Sequence, residues 1–232
     1  MPGAVYAPGY GDGVGTRPAA GGGRWVEVDP ARLPRWLAGF GQRHGPYEVA
    51  AGPQGPALLA ADGARAECHA PPGAPVPGDL DGFVAAVAAP RRIGLLLARR
   101  GAVAVGIAAG AALEVSKVDS RYVQGRTAAG GWSQQRFARR RENQARAAAA
   151  DGADIAVRLL LPAAARLAAV VTGGDRRAVD VILSDARLAP VAALRAERFL
   201  TVAEPRRAAL EGAVGQARAV LIRVVEPVTT SA

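Results

Sequence analysis

Residues 93–109 read IGLLLARRGAVAVGIAA and contain two apolar runs, Ile93–Arg99 and Ala102–Ala109, joined at Arg100-Gly101. Apolar runs of this length that are bounded by a turn are typical of buried strands. We therefore predict that the two runs form a central hairpin, with Leu113–Val118 as a third strand beside it.

Strands and helices alternate along the last third of the chain. The predicted elements are a strand at Leu167–Thr172, a turn at Gly173-Gly174-Asp175, a helix containing Val179, Ile182 and Leu183, a loop with Pro190, a strand near Phe199–Val202, a helix opening at Pro205 and a strand at Ala219–Val225. The glycine turn has two interpretations: a plain turn with a helix cap, which we prefer, and an anion site at a helix N-terminus. Hairpins followed by alternating strands and helices predict an α/β fold with helices packed on a mixed β-sheet.

The residues upstream of the hairpin predict a further group of short elements. These are a strand at Trp25–Val28, a helix from Asp29-Pro30 to about His44, strands at Tyr47–Ala51, Ala57–Ala61 and Ala64–His69, and a short helix capped by Asp79. Residues 1–23 are rich in glycine, proline and alanine, which predicts a disordered tail. We place the main domain at residues 24–228, with a candidate N-terminal lobe at 24–78, a catalytic core at 79–228 and a short tail at 229–232.

Composition restricts the compartment and the partners. The chain carries a formal net charge of +9, and a basic chain attracts polyanions, so nucleic acid or an anionic membrane is the default partner. The single cysteine, Cys68, excludes an internal disulfide and suits a reducing compartment. Cys68, His69 and the distant His44 do not make a zinc site, so we expect a half-buried structural thiol, no metal and no cofactor. No apolar run reaches membrane-spanning length and no secretory signal begins the chain, so we expect a cytoplasmic protein.

The stretch Gly130-Gly131-Trp132-Ser133-Gln134-Gln135-Arg136 is the least ordinary part of the chain. Its glycines let a backbone approach a ligand closely, and two polar amides follow in a predicted loop over residues 120–134. A helix is predicted from Ser133 to about Ala150 or beyond. At about 100° per residue, one face of this helix carries Arg136, Arg139, Arg140, Asn143 and Arg146. The pattern has two interpretations: a solvated arginine-rich helix behind a glycine hinge, and a helix that lies along phosphates and presents a glutamine to a reactive end.

This segment resembles the catalytic loop of the middle domain of eukaryotic and archaeal class I peptide-chain release factors, which carries Gly-Gly-Gln. It is more similar still to the Vms-like release factors (the VLRF group), peptidyl-tRNA hydrolases tied to ribosome-associated quality control. That group has an arginine-tyrosine pair before a glycine-rich loop that ends in a glutamine, followed by a basic helix. The matching residues here are Arg121-Tyr122, Gly130-Gly131-Trp132-Ser133-Gln134, and Arg136 onward. The resemblance to the actinobacterial branch of the group extends from Arg24 to Pro227.

The resemblance implies a ribonuclease-H-like release-factor domain that cleaves the ester of peptidyl-tRNA on a ribosome or a stalled large subunit. It implies catalytic roles for Gly130, Gly131 and one glutamine. Trp132-Ser133 interrupts the strict triplet, so Gln134 is the first choice by its Gly-x-x-Gln spacing, and Gln135 is the second. The expected partners are peptidyl-tRNA and the ribosome or its large subunit, with no membrane and no DNA. The residues expected to contact RNA are Arg121, Tyr122, Arg126, Trp132, Arg136, Arg139, Arg140, Asn143 and Arg146.

Three other functions compete with this interpretation. A non-catalytic RNA- or ribosome-binding module uses the same arginine helix, and its binding does not depend on Gln134. A serine hydrolase acting through Ser133 lacks the second glycine of the nucleophile elbow, where Gln135 stands. A two-metal nuclease needs clustered carboxylates. The aspartates are instead scattered over different predicted elements, at Asp119, Asp151, Asp154, Asp175 and Asp180.

Overall fold

The computed structural model describes residues 16–99, 101–120 and 147–227. These residues fall into two compact units. The central unit runs from Arg92 to Val214, and the terminal unit combines the described residues up to Arg91 with those from Gly215 onward. Both ends of the described chain therefore belong to the same unit.

From residue 24 onward the predicted elements appear in the predicted order, whereas the strand at Thr16–Pro18 lies within the expected disordered tail and the helix at Ala189–Ala192 within an expected loop. The strands are β1 (Thr16–Pro18), β2 (Arg24–Val28), β3 (Tyr47–Ala50), β4 (Ala57–Ala60), β5 (Arg65–His69), β6 (Arg92–Arg99), β7 (Ala102–Ala109), β8 (Ala112–Ser120), β9 (Ala169–Gly174), β10 (Arg195–Leu200) and β11 (Val220–Val225). The helices are α1 (Leu33–His44), α2 (Leu80–Ala88), α3 (described over residues 147–159), α4 (Arg176–Leu183), α5 (Ala189–Ala192) and α6 (Arg207–Arg218). Among the described residues, none of these helices has the length and apolar character that crossing a bilayer requires.

The terminal unit is built on a six-stranded antiparallel sheet in the order β1-β2-β11-β5-β4-β3. Buried and half-exposed residues alternate along β11, and Val220, Ile222 and Val224 face the core. This period of two is typical of a strand with one covered face. Since β11 pairs with both β2 and β5, the last strand of the chain holds the first strands of this unit together.

Helix α1 supplies much of the apolar surface that covers this sheet. Asp29 accepts a hydrogen bond from the Ala31 backbone N–H at 2.9 Å and so caps the short 3₁₀ turn that leads into the helix. Leu33, Leu37 and Phe40 follow at helical spacing and are buried. The cap and the apolar stripe explain why this stretch is predictable from its sequence.

Cys68 lies on the inner face of β5 and is only 2% exposed, so the expected half-buried thiol is in fact fully buried. Its neighbours in the core include Val26, Leu58 and Phe83. Burial in apolar surroundings disfavours the thiolate and raises the pKa of the Cys68 thiol to about 12. Because the folded-state pKa lies above the ordinary value of 9.0, this group stabilises the fold fully below pH 9.0, and the contribution is lost as the pH rises towards 12.

We expect Cys68 of the native protein to react with a disulfide reagent at about pH 8 roughly a thousandfold more slowly than in denaturant, because the thiolate is the nucleophile. The rate should keep rising up to about pH 12 for the native chain, and level off near pH 9.0 for the unfolded chain. Stopped-flow absorbance of the released thiolate measures both rates. Equal rates for the native and unfolded chains would contradict the burial.

The central unit is built on a five-stranded sheet in the order β10-β9-β6-β7-β8. The pairs β6–β9 and β9–β10 are parallel, whereas β6–β7 and β7–β8 are antiparallel. The hairpin of β6 and β7 lies at the centre, as its apolar sequence predicts. This arrangement confirms the expected α/β class with a mixed sheet.

The two central strands are buried along almost their whole length because helices cover both faces of the sheet. On one face, Val103, Val105 and Ile107 pack in a cluster that includes Ala156 of α3 and Ile182 of α4. The opposite face meets α6. There, Leu210 Cδ1 lies 3.6 Å from the position that a Cβ on Gly106 would take. A strand covered on both faces reads as a continuous apolar run, which is the pattern of residues 93–109.

Two local expectations are wrong in detail. Strand β10 begins at Arg195 rather than near Phe199, because its first half carries charged side chains at the edge of the sheet and lacks an apolar signature. Pro190 lies in α5 rather than in a loop. Proline is favoured in the first turn of a helix, where a backbone N–H has no partner to lose.

Candidate functional site

All the residues that the sequence analysis assigns to the site lie in residues 121–146, outside the described residues. The structure describes the two flanks of this segment, which are the end of β8 at Ser120 and helix α3 from residue 147. The set comprises Gln134, Gln135, Gly130, Gly131, Arg121, Tyr122, Arg126, Trp132, Arg136, Arg139, Arg140, Asn143 and Arg146.

The two flanks meet at one end of the central sheet. In the β7–β8 ladder Val103 pairs with Asp119, next to the pair Ala102–Ser120. A Cβ on Gly152 of α3 would lie 3.0 Å from Val103 Cγ2. Val103 therefore has β8 beside it within the sheet and α3 packed against it at Gly152, so the elements on either side of residues 121–146 both contact this residue.

Three other strands end at this same edge of the sheet, which we call the carboxyl edge and define by the last residues of β6, β8, β9 and β10. Arg99 at the end of β6 donates hydrogen bonds to the backbone oxygens of Ala203, at 2.6 Å, and Val202, at 3.4 Å. These bonds tie the segment that follows β10 to the end of β6. The carboxyl edge therefore consists of strand ends that are tied to one another. A functional loop that is attached to strands and helices is positioned more precisely than one attached to other loops.

The turn at residues 173–175 fits a plain, capped turn better than an anion site. Gly174 has a φ of +96°, and a Cβ there would lie 2.2 Å from the backbone oxygen of Ala98. Asp175 accepts a hydrogen bond from the Ala178 N–H at 3.2 Å and caps α4. A carboxylate at this helix N-terminus already supplies the negative charge that the helix dipole favours.

Three described aspartates of the central unit, Asp154, Asp180 and Asp185, pair with arginines. Arg187 donates to Asp154 at 2.8 Å and to Asp185 at 2.6 Å. The hydrogen bonds from Arg187 lower the pKa of Asp185 to about 2. Asp180 pairs with Arg195 at 2.6 Å. Within the described ranges, no group of three or more His, Cys, Asp or Glu residues is arranged to hold a metal ion.

The sequence analysis missed a small crevice between α4 and the edge strand β10. It has a volume of about 270 Å³ and is lined by Arg176, Arg195, Ala196, Glu197 and Phe199. About twenty residues separate the two ends of this group in the sequence, so no local motif marks it. No spacing within β10 marks it either, because the pairing of this strand with β9 shifts register between Arg195 and Phe199.

Comparison with known families gives a match over more than half of the chain. The model of the family described as Actinobacteria/Chloroflexi VLRF1 release factor matches residues 91–223. The match includes the whole central sheet and residues 121–146, whereas residues 24–90 lie outside it. No curated protein matches the chain.

Solved structures also resemble the chain, more weakly, and two of them illustrate this. One is a crystal structure of an archaeal translation termination factor, with 18% identity and a TM-score of 0.37 over 55% of this chain and 36% of that one. The other is described only as an archaeal protein, with 17% identity and a TM-score of 0.37 over 67% of this chain and 48% of that one. The chain thus spans less than half the length of either structure.

Proposed function

Because the chain belongs to the Actinobacteria/Chloroflexi VLRF1 release factor family, we propose that it hydrolyses peptidyl-tRNA on stalled ribosomes or large ribosomal subunits. The family match over residues 91–223 carries the proposal, since it includes the segment from Gly130 to Arg146 in which the glycine-flanked glutamine and the arginines lie. In this function the protein releases a nascent peptide as part of ribosome rescue or quality control.

The reaction attacks the ester that joins the peptide to the terminal ribose of tRNA. A glutamine amide does not titrate near neutral pH, so Gln134 does not act as a general base. We propose that its side chain positions the attacking water and that backbone N–H groups beside it hydrogen-bond the developing oxyanion. Gly130 and Gly131 let the backbone come close to the ester. The remaining catalytic groups come from ribosomal RNA in this mechanism.

The positive charge of the chain supports the second half of the proposal, which is binding to RNA. The net charge is +9, and only Glu142 opposes the arginines between Arg121 and Arg146. Arginine side chains on one helix face bind the phosphates of transfer or ribosomal RNA and fix the position of the loop. The proposal is supported by the carboxyl edge, where β8 and α3, the two elements that flank this segment, both contact Val103.

Release of labelled peptide from peptidyl-tRNA tests the proposal directly. We expect the native chain to release peptide in the presence of large ribosomal subunits, and the comparison with free peptidyl-tRNA shows whether the subunit is needed. Absence of release under both conditions, from a chain that binds RNA, would contradict the hydrolase and leave a non-catalytic RNA-binding module. The high net charge is sufficient to explain such a module, because attraction to RNA does not require Gln134.

Replacing Arg136, Arg139 and Arg140 together by alanine should weaken RNA binding and make it less dependent on salt. Each lost phosphate contact removes about 0.7 to 0.9 from the slope of log K against log salt, so the slope should fall by about 2 to 3. Fluorescence anisotropy at several salt concentrations measures the slope. The control replaces Arg206, Arg207 and Arg218 of the carboxyl-terminal part of the chain, which removes the same charge elsewhere. An equal change in both variants would show that net charge alone governs binding.

A further inference from the structure

The crevice between α4 and β10 has an arginine whose guanidinium carbon lies over an aromatic ring. The guanidinium carbon of Arg176 lies 4.2 Å from the centroid of the Phe199 ring, well within the range of a cation–π contact. Arg176 is the first residue of α4, and Phe199 lies near the end of β10, where it pairs with Thr172 of β9. The side chain of Arg176 is exposed while Phe199 is half-buried. The guanidinium of Arg176 thus lies over the ring while the side chain stays open to solvent.

A second contact along the same two elements fixes the other end of the crevice. Asp180 follows Arg176 by one helical turn, and Arg195 lies four residues before Phe199 on β10. Arg195 Nη1 donates to Asp180 Oδ1 at 2.6 Å. Two pairs therefore join α4 to β10, and the crevice lies between them. A site that is held at both ends needs little ordering when a ligand binds, which lowers the entropic cost of binding.

Glu197 lies between these two pairs. Glu197 lines the crevice together with Arg195 and Phe199, in the part of β10 where the pairing with β9 shifts register. Its side chain is exposed, and it forms no ion pair or hydrogen bond with another residue of the described ranges. The two arginines beside it are engaged elsewhere, Arg195 with Asp180 and Arg176 with Phe199. A carboxylate accepts hydrogen bonds only, so the crevice offers two acceptor oxygens next to a flat cation.

We propose that this crevice binds one unpaired guanine base of RNA. The base stacks on the guanidinium of Arg176, as unpaired bases do on guanidinium planes. The adjacent N1–H and N2–H groups of guanine donate to the two carboxylate oxygens of Glu197, whereas adenine presents an acceptor at N1. A volume of about 270 Å³ is below the range of pockets for drug-sized ligands, and it suits a single base. The inference rests on the proposed function, because it names part of the RNA surface that the protein contacts.

Short single-stranded RNAs test the base preference. The probes are fluorescently labelled uridine heptamers with guanine, inosine or adenine at the central position, and anisotropy measures their affinities for the full chain. We expect the guanine heptamer to bind about tenfold more tightly than the adenine heptamer, with inosine between them because it lacks the N2 amino group. A uridine background keeps the phosphate contribution constant.

Three variants assign the preference to the crevice. Arg176→Ala should weaken binding of the guanine heptamer about tenfold, because stacking on the guanidinium is lost. Arg177→Ala removes the same charge from the next position of α4, and should weaken all three heptamers equally and by no more than about threefold. Glu197→Gln should abolish the preference for guanine over adenine. Because all three side chains are exposed, these changes leave the core intact.

The outcomes separate this inference from the proposed function. Equal affinity of the native chain for all three heptamers, or equal losses in Arg176→Ala and Arg177→Ala, would overturn the guanine site even if the chain releases peptide. Guanine preference in a chain that releases no peptide would overturn the hydrolase and leave the site standing. Binding of an acidic peptide with a central tryptophan that depends on Arg176, without any preference among the heptamers, would replace RNA by a protein partner.

Discussion

Replacing Gln134 by alanine should lower the rate of peptide release by about a hundredfold to a thousandfold, while leaving affinity for RNA within about twofold. The reason is that Gln134, in the proposed mechanism, positions the attacking water and does not bind the phosphates. A group that acts only in the transition state changes the rate of the chemical step and leaves ground-state binding unchanged. The measurement is single-turnover release of labelled peptide with large subunits, alongside anisotropy of labelled tRNA.

Gln135→Ala is the matched control, because it removes the same side chain from the next position. We expect it to retain release within about threefold. A large loss in Gln135→Ala with normal release in Gln134→Ala would exchange the roles of the two glutamines and keep the mechanism. Normal release by both variants would remove glutamine from the reaction altogether.

Replacing Gly174 by alanine should destabilise the protein by on the order of 3 kcal/mol, and lower its melting temperature by about 10 °C. Two effects add at this position. A φ of +96° is a conformation that alanine rarely adopts, and its Cβ would lie 2.2 Å from the backbone oxygen of Ala98. That oxygen also accepts a hydrogen bond from the Asp175 N–H at 2.7 Å, so relief of the clash requires β9 to move away from β6.

Gly63→Ala separates the two effects. Gly63 has a φ of +93°, close to that of Gly174, but nothing lies within 4 Å of the position that its Cβ would take. We therefore expect it to cost about 1 kcal/mol, from backbone strain alone. Differential scanning calorimetry compares each variant with the native chain. Equal shifts for the two variants would show that the close approach at Ala98 contributes nothing to the cost.

Most local elements of this fold can be predicted from the sequence because they have a recognisable pattern of caps, turns or apolar residues. Helix α1 follows a capping aspartate and a proline, and buries Leu33, Leu37 and Phe40 at helical spacing. The hairpin of β6 and β7 is a pair of apolar runs joined by a glycine turn. Strand β10 has no such signature. Its charged residues face a crevice at the sheet edge rather than a core, so only its apolar end was predicted.

For the candidate site too, part could be predicted from the sequence and part is visible only in the structure. The glycine-glutamine-arginine segment was found from the order of its residues, and the family match over residues 91–223 includes it. Its residues lie outside the described ranges, so their roles stay predictions. The structure adds the position of the flanks beside Val103, which no spacing in the sequence encodes.

The sequence by itself determined most of the strands and helices and to which family the chain belongs, because caps, periodicity and motifs are properties of neighbouring residues. The tertiary structure decided which strands pair. It alone puts β11 between β2 and β5, and brings Arg176 onto Phe199. Such contacts join residues far apart in the chain, and their stability comes from the shared burial of apolar surface, which depends on all the elements at once.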